Sequence, residues 1–329
     1  MAEHGTGIPV VVAGLGDVGR AIARSVLEEA DLRLVGVVDP AFAGRKLDVL
    51  LGRPGSGLVV EGDASKSFAA ARGGVLLQAT TSRLAEALPQ IEQAVKAGLS
   101  VASACEELAY PWLAHEEEAD ALDALCERHD VAVTGAGVNP GFALDRLPAF
   151  LSQCTGTVRY LEARRVGDLT GRRPALLRKL GVGLTPEQFQ KALDDDRVGH
   201  VGLAESAALA ALGSGLEVDE VEEEIEPVLA TRDLAGPEPV KKGRTVGVRQ
   251  VARGWSEGRE VVRLELLLAL GAEDPHDEVR IDADPPLRLV VPAGLPGEAA
   301  AAWALVHAAR ALPVLRGLIT VLDLPSGRA

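Results

Sequence analysis

Aromatic residues make up only 3% of the 329 residues, methionine occurs once and cysteine three times. Cys105, Cys126 and Cys154 lie far apart, are odd in number and fall outside any CxxC or Cys/His ligand spacing. That pattern argues against a disulfide framework and structural zinc, so no metal is expected, and it fits a reducing cytoplasm. No apolar run reaches the roughly 18 residues that cross a bilayer, so no membrane association is expected. The first seven residues carry Glu3 and His4 in place of a basic segment leading into an apolar stretch, so no signal peptide is read there. Positive charge is also short: 34 Lys and Arg stand against 48 Asp and Glu, for a net charge of −14. A surface of that sign repels a phosphate backbone, and no basic stripe interleaved with aromatics offsets it locally; nucleic acid is not an expected partner.

What is present is a globular composition, 47% hydrophobic and 25% charged, in a chain long enough for two domains of about 150 residues. The first half alternates short apolar runs with amphipathic segments, which predicts βαβ units and a parallel sheet. Strands are expected at Val10–Ala13, Leu34–Val38, Val75–Ala79, Ser100–Ser103 and Val131–Thr134. Leu84, Leu88, Ile91 and Val95 recur at helical spacing, with Pro89 expected in a first turn or at a kink. The pattern changes around Val138-Asn139-Pro140-Gly141, and the expected division is residues 1–143, 144–297 and 298–329. The second segment reads as an α+β domain with an open, mostly antiparallel sheet. Its strands include Val158–Arg165, an acidic Val221–Ile225, and a hairpin of Val246–Trp255 and Glu260–Leu270 turning at Ser256-Glu257-Gly258-Arg259. Glu278–Asp282 and Leu287–Val291 extend that sheet. The last segment is an Ala-rich helix, Glu298–Ala311, ended by Pro313 and Gly317 and expected to pack back on the first domain.

Gly14-Leu15-Gly16-Asp17-Val18-Gly19 follows the first expected strand directly and precedes a helical stripe of Val18, Ile22 and Val26. In that setting Gly14 permits the sharp turn, Gly16 lets backbone approach a pyrophosphate, and Gly19 lets the helix pack close to the strand. The helix N-terminus then offers N–H groups and a favourable dipole to two phosphates. The first domain is therefore a Rossmann domain holding a nicotinamide dinucleotide. Asp39 ends the second strand, 25 residues after Gly14, where a carboxylate accepts hydrogen bonds from ribose hydroxyls; that favours NAD. Arg45 and Lys46 follow closely and can meet a 2′-phosphate, so NADP stays open. Thr80, Thr81 and Ser82 stand at the carboxyl edge of the sheet, where they either touch cofactor or cap a helix.

Glu106-Glu107-Leu108-Ala109-Tyr110-Pro111-Trp112, then Gly137-Val138-Asn139-Pro140-Gly141-Phe142, resemble the 2,4-diaminopentanoate dehydrogenases and the related native amine dehydrogenases. The resemblance continues through Arg165-Val166-Gly167-Asp168-Leu169, Gly181-Val182-Gly183, Thr185-Pro186-Glu187, Gly199-His200-Val201-Gly202, Glu205-Ser206 and Asp323-Leu324-Pro325. It implies a dihydrodipicolinate-reductase-like Rossmann domain, although the reductase's own His-His-x-x-Lys signature is absent. It further implies oxidative deamination of a primary amine to a ketone with hydride passing to NAD or NADP, the reverse reductive amination with ammonia, and a homodimer. A dehydrogenase of another substrate class and a dinucleotide sensor without turnover are the alternatives on the same cofactor domain.

A substrate ammonium must lose a proton before its carbon can give up hydride, and the resulting iminium must take up water; one carboxylate can serve both steps. Glu106 and Glu107 follow the fourth expected strand at the sheet edge, and alternation along Val101, Ser103, Cys105 and Glu107 sets them on opposite sides. Glu107 is the favoured proton acceptor, with Glu106 the second candidate. Asn139, ahead of Pro140, offers an amide to the nicotinamide carboxamide or to the substrate nitrogen, or serves as a turn residue. The resemblance places Arg165 and His200 at the substrate, with a strand-face salt bridge the equal alternative for Arg165; His276, in a turn leading into Val279, is the other histidine candidate. Gly167 and Arg310 stand where the diamine enzymes are expected to carry Asn, which brings simple aliphatic amines and short ketones into range as substrates.

Overall fold

Ile8–Ala13 (β1) reads Ile-Pro-Val-Val-Val-Ala, and its last four side chains are fully buried. A strand apolar on both faces belongs inside a parallel sheet covered on both sides, and β1 takes that place. In the computed structural model, which describes residues 7–235 and 239–327, it is followed by α1 (Asp17–Val26), β2 (Leu32–Val38), α2 (Leu47–Leu51) and α3 (Ser65–Ala70). Then come β3 (Val75–Gln78), α4 (Leu84–Lys96), β4 (Ser100–Ser103), α5 (Glu116–His129) and β5 (Ala132–Gly135).

The chain continues through α6 (Arg146–Ser152), β6 (Tyr160–Asp168), α7 (Pro174–Lys179), α8 (Pro186–Asp194), α9 (Leu203–Ser214) and β7 (Glu220–Leu229). It completes with β8 (Thr245–Ser256), β9 (Arg259–Ala269), β10 (His276–Asp282), β11 (Leu287–Pro292), α10 (Gly297–Ala311) and β12 (Gly317–Leu318). Two compact units result, Met1–Phe142 with Pro296–Ala329, and Ala143–Leu295.

The first unit carries a wholly parallel sheet in the order β12-β5-β4-β3-β1-β2. The chain goes from β1 to β2 on one side and then returns to β3 on the other. That reversal opens a crevice at the carboxyl ends of β1 and β3, the place where such sheets bind ligands. Ile91 and Val95 of α4 and Leu122 and Cys126 of α5 join one buried cluster over one part of the sheet. Helix α10 packs against α1 and beneath β3 and β4. Arg310, near its end, pairs with Glu29 and Asp31 ahead of β2 and fastens it there. Pro89 sits inside α4, past its first turn, and the helix runs through it.

Strand β12 was not expected. A 3-10 turn at Leu312–Val314 leads into Gly317–Leu318, which pairs with Ala132 and Val133. Two residues are too few to leave an alternating pattern in a sequence.

The second unit has a sheet in the order β11-β10-β6-β9-β8-β7, antiparallel at every pairing except β6 with β9. Glu257 and Gly258 both take positive φ, 49° and 74°, which makes the β8 to β9 turn the tight primed type whose twist matches a hairpin. Helix α9 covers part of β7, β8 and β9, while Leu177, Leu180, Phe189 and Ala192 of α7 to α8 build a separate cluster on Val248. The edge strand β7 carries Glu222, Glu224 and Glu226; Arg253 and Arg249 on β8 pair with the last two. Charged side chains on an edge oppose pairing with further strands.

Candidate active site

The turn from β1 into α1 shows why its glycines are there. Gly14 has φ +83°, its N–H bonds Val38 O at 2.9 Å, and a Cβ on it would stand 2.3 Å from Ala79 O. A Cβ on Gly19 would stand 1.8 Å from Gly14 O. Gly16 is different: it is the N-cap of α1, no side chain caps the helix, and a Cβ there would meet nothing within 4 Å. The protein thus leaves space above Gly16 and aims the start of α1, with Asp17 and Val18, at it. This fits a pyrophosphate held by backbone N–H groups.

Asp39 is bound into the same turn. Its Oδ2 accepts the Leu15 N–H at 2.7 Å and its Oδ1 accepts the Ala41 N–H at 2.9 Å. Each carboxylate oxygen keeps a second lone pair, so a ribose hydroxyl can still donate to it. Arg20 donates from Nε to Leu15 O at 2.8 Å, and both Arg20 and Arg45 lie over the Phe42 ring, at 5.1 and 5.7 Å from its centroid. Arg20 and Phe42 are not among the residues expected from the sequence. The signals for them are an arginine directly after the third glycine and an aromatic three residues beyond Asp39.

At the end of β3, Thr80 Cγ2 lies against Gly14. Thr81 Oγ1 accepts the Arg83 N–H and donates to Glu86, a helix-start role. Ser82 O accepts from Glu107 N–H and Cys105 Sγ–H.

Glu106 and Glu107 begin a 3-10 turn directly after β4 and diverge. Glu106 lines a cavity of about 110 Å³ together with Val18, Cys105, Val138, Asn139 and Pro140. Glu107 is buried elsewhere. Its Oε1 accepts from Arg83 Nη1 at 2.7 Å, its Oε2 accepts the Leu84 N–H at 2.6 Å, and His115 Nε2 lies 3.4 Å from Oε2. A carboxylate on the first N–H of α4 is stabilised by the helix dipole and by the arginine. The geometry thus binds Glu107 into the start of α4, and of the two carboxylates Glu106 is the one that lines the cavity.

Asn139, joined to Pro140 by a cis peptide, lines the same cavity, so Val18, Glu106 and Asn139 are brought together. Arg165, His200 and His276 belong to the second unit. Arg165 is buried and reaches Asp277 Oδ2 from Nη1 at 3.4 Å and Leu295 O from Nη2 at 2.5 Å. Burial lowers its pKa, and Asp277 opposes that shift. Arg165 therefore ties β6 to β10 and to the last residue of this unit. The backbone of His200 is gripped at both ends by Gln250, which accepts its N–H at 3.0 Å and donates to its carbonyl at 2.6 Å. His276 opens β10 with Nδ1 2.6 Å from Asp274 O. Among the described residues no cluster of three or more His, Cys, Asp or Glu is arranged to hold a metal, and no helix is long and apolar enough to cross a membrane.

Cys105, beside Glu106, is pushed up to about 12 by burial, with the two neighbouring carboxylates adding to the effect; Cys126 is pushed up to about 12 by burial as well. A thiol so raised holds no thiolate near neutral pH. Iodoacetamide at pH 8 is expected to label exposed Cys154 and leave Cys105 and Cys126 unmodified in the folded protein, as read by peptide mass spectrometry. Rapid labelling of Cys105 would contradict its burial.

Comparison with known proteins adds to this geometry. Residues 142–329 match the family described as the 2,4-diaminopentanoate dehydrogenase C-terminal domain. The chain is 28% identical to the 2,4-diaminopentanoate dehydrogenase of Acetoanaerobium sticklandii over 336 aligned positions, covering 98% of this chain and 94% of the relative. Over 138 positions it is 33% identical to the 4-hydroxy-tetrahydrodipicolinate reductase of Moorella thermoacetica, covering 42% of this chain and 48% of the relative. The fold is that of the amine dehydrogenase from Mycobacterium smegmatis, with a TM-score of 0.85, 21% identity, and coverage of 97% and 96% of the two chains. With more than half its length inside the matched region, the chain belongs to the 2,4-diaminopentanoate dehydrogenase C-terminal domain family.

Proposed function

We propose that this protein is an NAD(P)-dependent amine dehydrogenase that oxidatively deaminates a primary amine to a ketone and, in reverse, aminates a ketone with ammonia. The observation that carries the reading is the meeting of Glu106 and Asn139 with Val18, a residue of the dinucleotide turn, around one cavity. The free thiols suit a reducing cytoplasm, and the open sheet of the second unit supports a homodimer.

The chemistry that bound NAD(P)+ supplies is acceptance of hydride from the amine carbon. Residues Asp17, Val18 and Gly19 would hold its phosphates at the start of α1, and Asp39 would orient its adenosine ribose. The Glu106 carboxylate accepts a proton from the substrate ammonium, freeing the nitrogen lone pair that drives hydride from carbon. Glu106 passes that proton on to bulk water, and the regenerated carboxylate stabilises the positive iminium and takes a proton from the water that attacks its carbon. Asn139 directs its amide to the carboxamide or to the substrate nitrogen. The alanine and proline walls of the cavity lower the local dielectric, which strengthens the Glu106 interaction.

Arg310 is occupied by Glu29 and Asp31, and Gly167 has no side chain, so neither serves the second amino group of a diamine. Simple aliphatic amines with short ketone products are therefore favoured over the diamine that names the relative. The test is formation of NADH or NADPH, followed by absorbance, across a panel of aliphatic amines and 2,4-diaminopentanoate. No turnover with any amine, and none with ketones plus ammonia, would sink the reading.

NAD is the favoured cofactor because Asp39, bonded into the dinucleotide turn, would accept from a ribose hydroxyl, and Arg45 over Phe42 would give the route by which NADP is accepted. Asp39→Ala is expected to lower kcat/KM with NAD by about tenfold, with a smaller loss for NADP, because ribose contact and phosphate repulsion disappear together. Equal losses for both cofactors would contradict that role.

A further inference from the structure

Positions at the carboxyl ends of central parallel strands are expected to be apolar when both faces are covered. Gln78 ends β3 and Ser103 ends β4, they are direct partners across the two strands, and each is only 1% exposed. Ser103 Oγ–H donates to Gln78 Oε1 at 2.7 Å, and Ser103 Oγ accepts the Cys105 N–H at 3.1 Å. Gln78 Nε2 donates to Gln90 Oε1 at 2.8 Å and to Ala87 O at 3.3 Å, both on α4.

The direction of this chain of hydrogen bonds is determined at every step. Because α4 occupies the amide nitrogen of Gln78, the amide oxygen must face Ser103. The hydroxyl spends its single proton on that oxygen, so its lone pair is left for the Cys105 N–H. A hydroxyl that binds the N–H two residues ahead fixes a turn. Backbone bonds hold the same turn on both sides, Ala104 N–H to Gln78 O and Ala136 N–H to Ser103 O, each at 2.8 Å. Cys105 is the residue that precedes the 3-10 turn, and the next residue is Glu106.

We propose that Ser103, oriented by Gln78 and through it by α4, is a positioning residue that sets the direction in which Glu106 enters the cavity. The inference rests on the reading of Glu106 as the proton acceptor. Ser103 touches neither substrate nor cofactor in this scheme; it acts through the turn that carries Glu106. A buried polar network of this kind has one arrangement in which all its members are satisfied, and that arrangement defines the geometry of the 3-10 turn beyond Cys105.

The test uses the full chain. Ser103→Ala is expected to lower kcat for amine oxidation by about tenfold, since a carboxylate displaced by a fraction of an ångström loses its alignment. The Kd for NADH, read by fluorescence, should stay within about twofold, because the dinucleotide turn is elsewhere. Ser103→Thr, which keeps the hydroxyl, should restore most of kcat. In a Glu106→Gln background, Ser103→Ala should change kcat by less than about twofold, because there is no longer a carboxylate to misplace. Should Ser103→Ala fail to fold, Gln78→Met removes the partner amide at similar volume, and a threefold or greater loss of kcat, absent in the Glu106→Gln background, is expected. The inference is overturned if Ser103→Ala, or Gln78→Met in its place, leaves kcat unchanged, or if the loss persists undiminished in the Glu106→Gln background. If Glu106→Gln itself turns over normally, the proton-acceptor reading falls first. If Glu106→Gln is impaired while the network variants are not, only the positioning role falls.

Discussion

Glu106→Gln is expected to lower kcat for amine oxidation by at least about 10², close to 2.7 kcal/mol of transition-state stabilisation, while NADH binding changes little. Glutamine preserves the size of the side chain at the cavity wall but cannot take a proton from the ammonium or balance the iminium charge. Glu107→Gln gives the contrasting result. There the side chain accepts from Leu84 N–H and Arg83, so the amide keeps at most one of those bonds and turns a donor toward a guanidinium. A loss of about 1–3 kcal/mol of stability is expected, with kcat within about tenfold of the parent. Steady-state kinetics and thermal melts of the two variants separate the roles. If Glu107→Gln carries the large kcat loss and Glu106→Gln the stability loss, the assignment of the two carboxylates is reversed; near-normal kcat in both removes the proposed mechanism.

The second large effect is at the dinucleotide turn, where two glycines are required for unrelated reasons. Gly19→Ala puts a methyl 1.8 Å from Gly14 O, a backbone atom that cannot rotate away, so α1 must move off β1. Overpacking of this kind costs about 3 kcal/mol, a fall of about 4 °C in melting temperature for a chain of this size, with cofactor binding lost as well. Gly16→Ala should behave otherwise. Its φ of −64° suits any residue, and the added methyl meets no protein atom within 4 Å. The melting temperature should hold, yet NADH should bind about tenfold or more weakly, a change of about 1.4 kcal/mol, because the methyl occupies the space into which the pyrophosphate must come. Titration of NADH into Gly16→Ala with parental affinity would show that the phosphates lie elsewhere.

The helices and strands were legible along the chain because burial writes a local period. Val10–Ala13 is apolar on both faces, Leu84, Ile91 and Val95 fall on one helical stripe, and the hairpin turn is marked by Glu257-Gly258. The dinucleotide turn was legible too, since the requirement for glycine there arises within a stretch of six residues and its flanking strand. These features need only near neighbours in the chain. The direction of each acidic side chain after β4 was another matter. Strand alternation ends at Ser103, and in the 3-10 turn beyond it successive side chains differ by about 120°, so a period of two no longer predicts a face. What turns Glu107 away is a guanidinium and an N–H at residues 83 and 84, and what holds the turn before Glu106 is an amide at residue 78. Arg165 likewise finds its partner Asp277 on the neighbouring strand β10, and β12 finds β5 after a chain excursion through the second unit. Partners so distant in sequence leave no periodic trace at either position; only the folded chain, by bringing them within hydrogen-bond distance, decides which carboxylate is bound to the start of α4 and which lines the cavity.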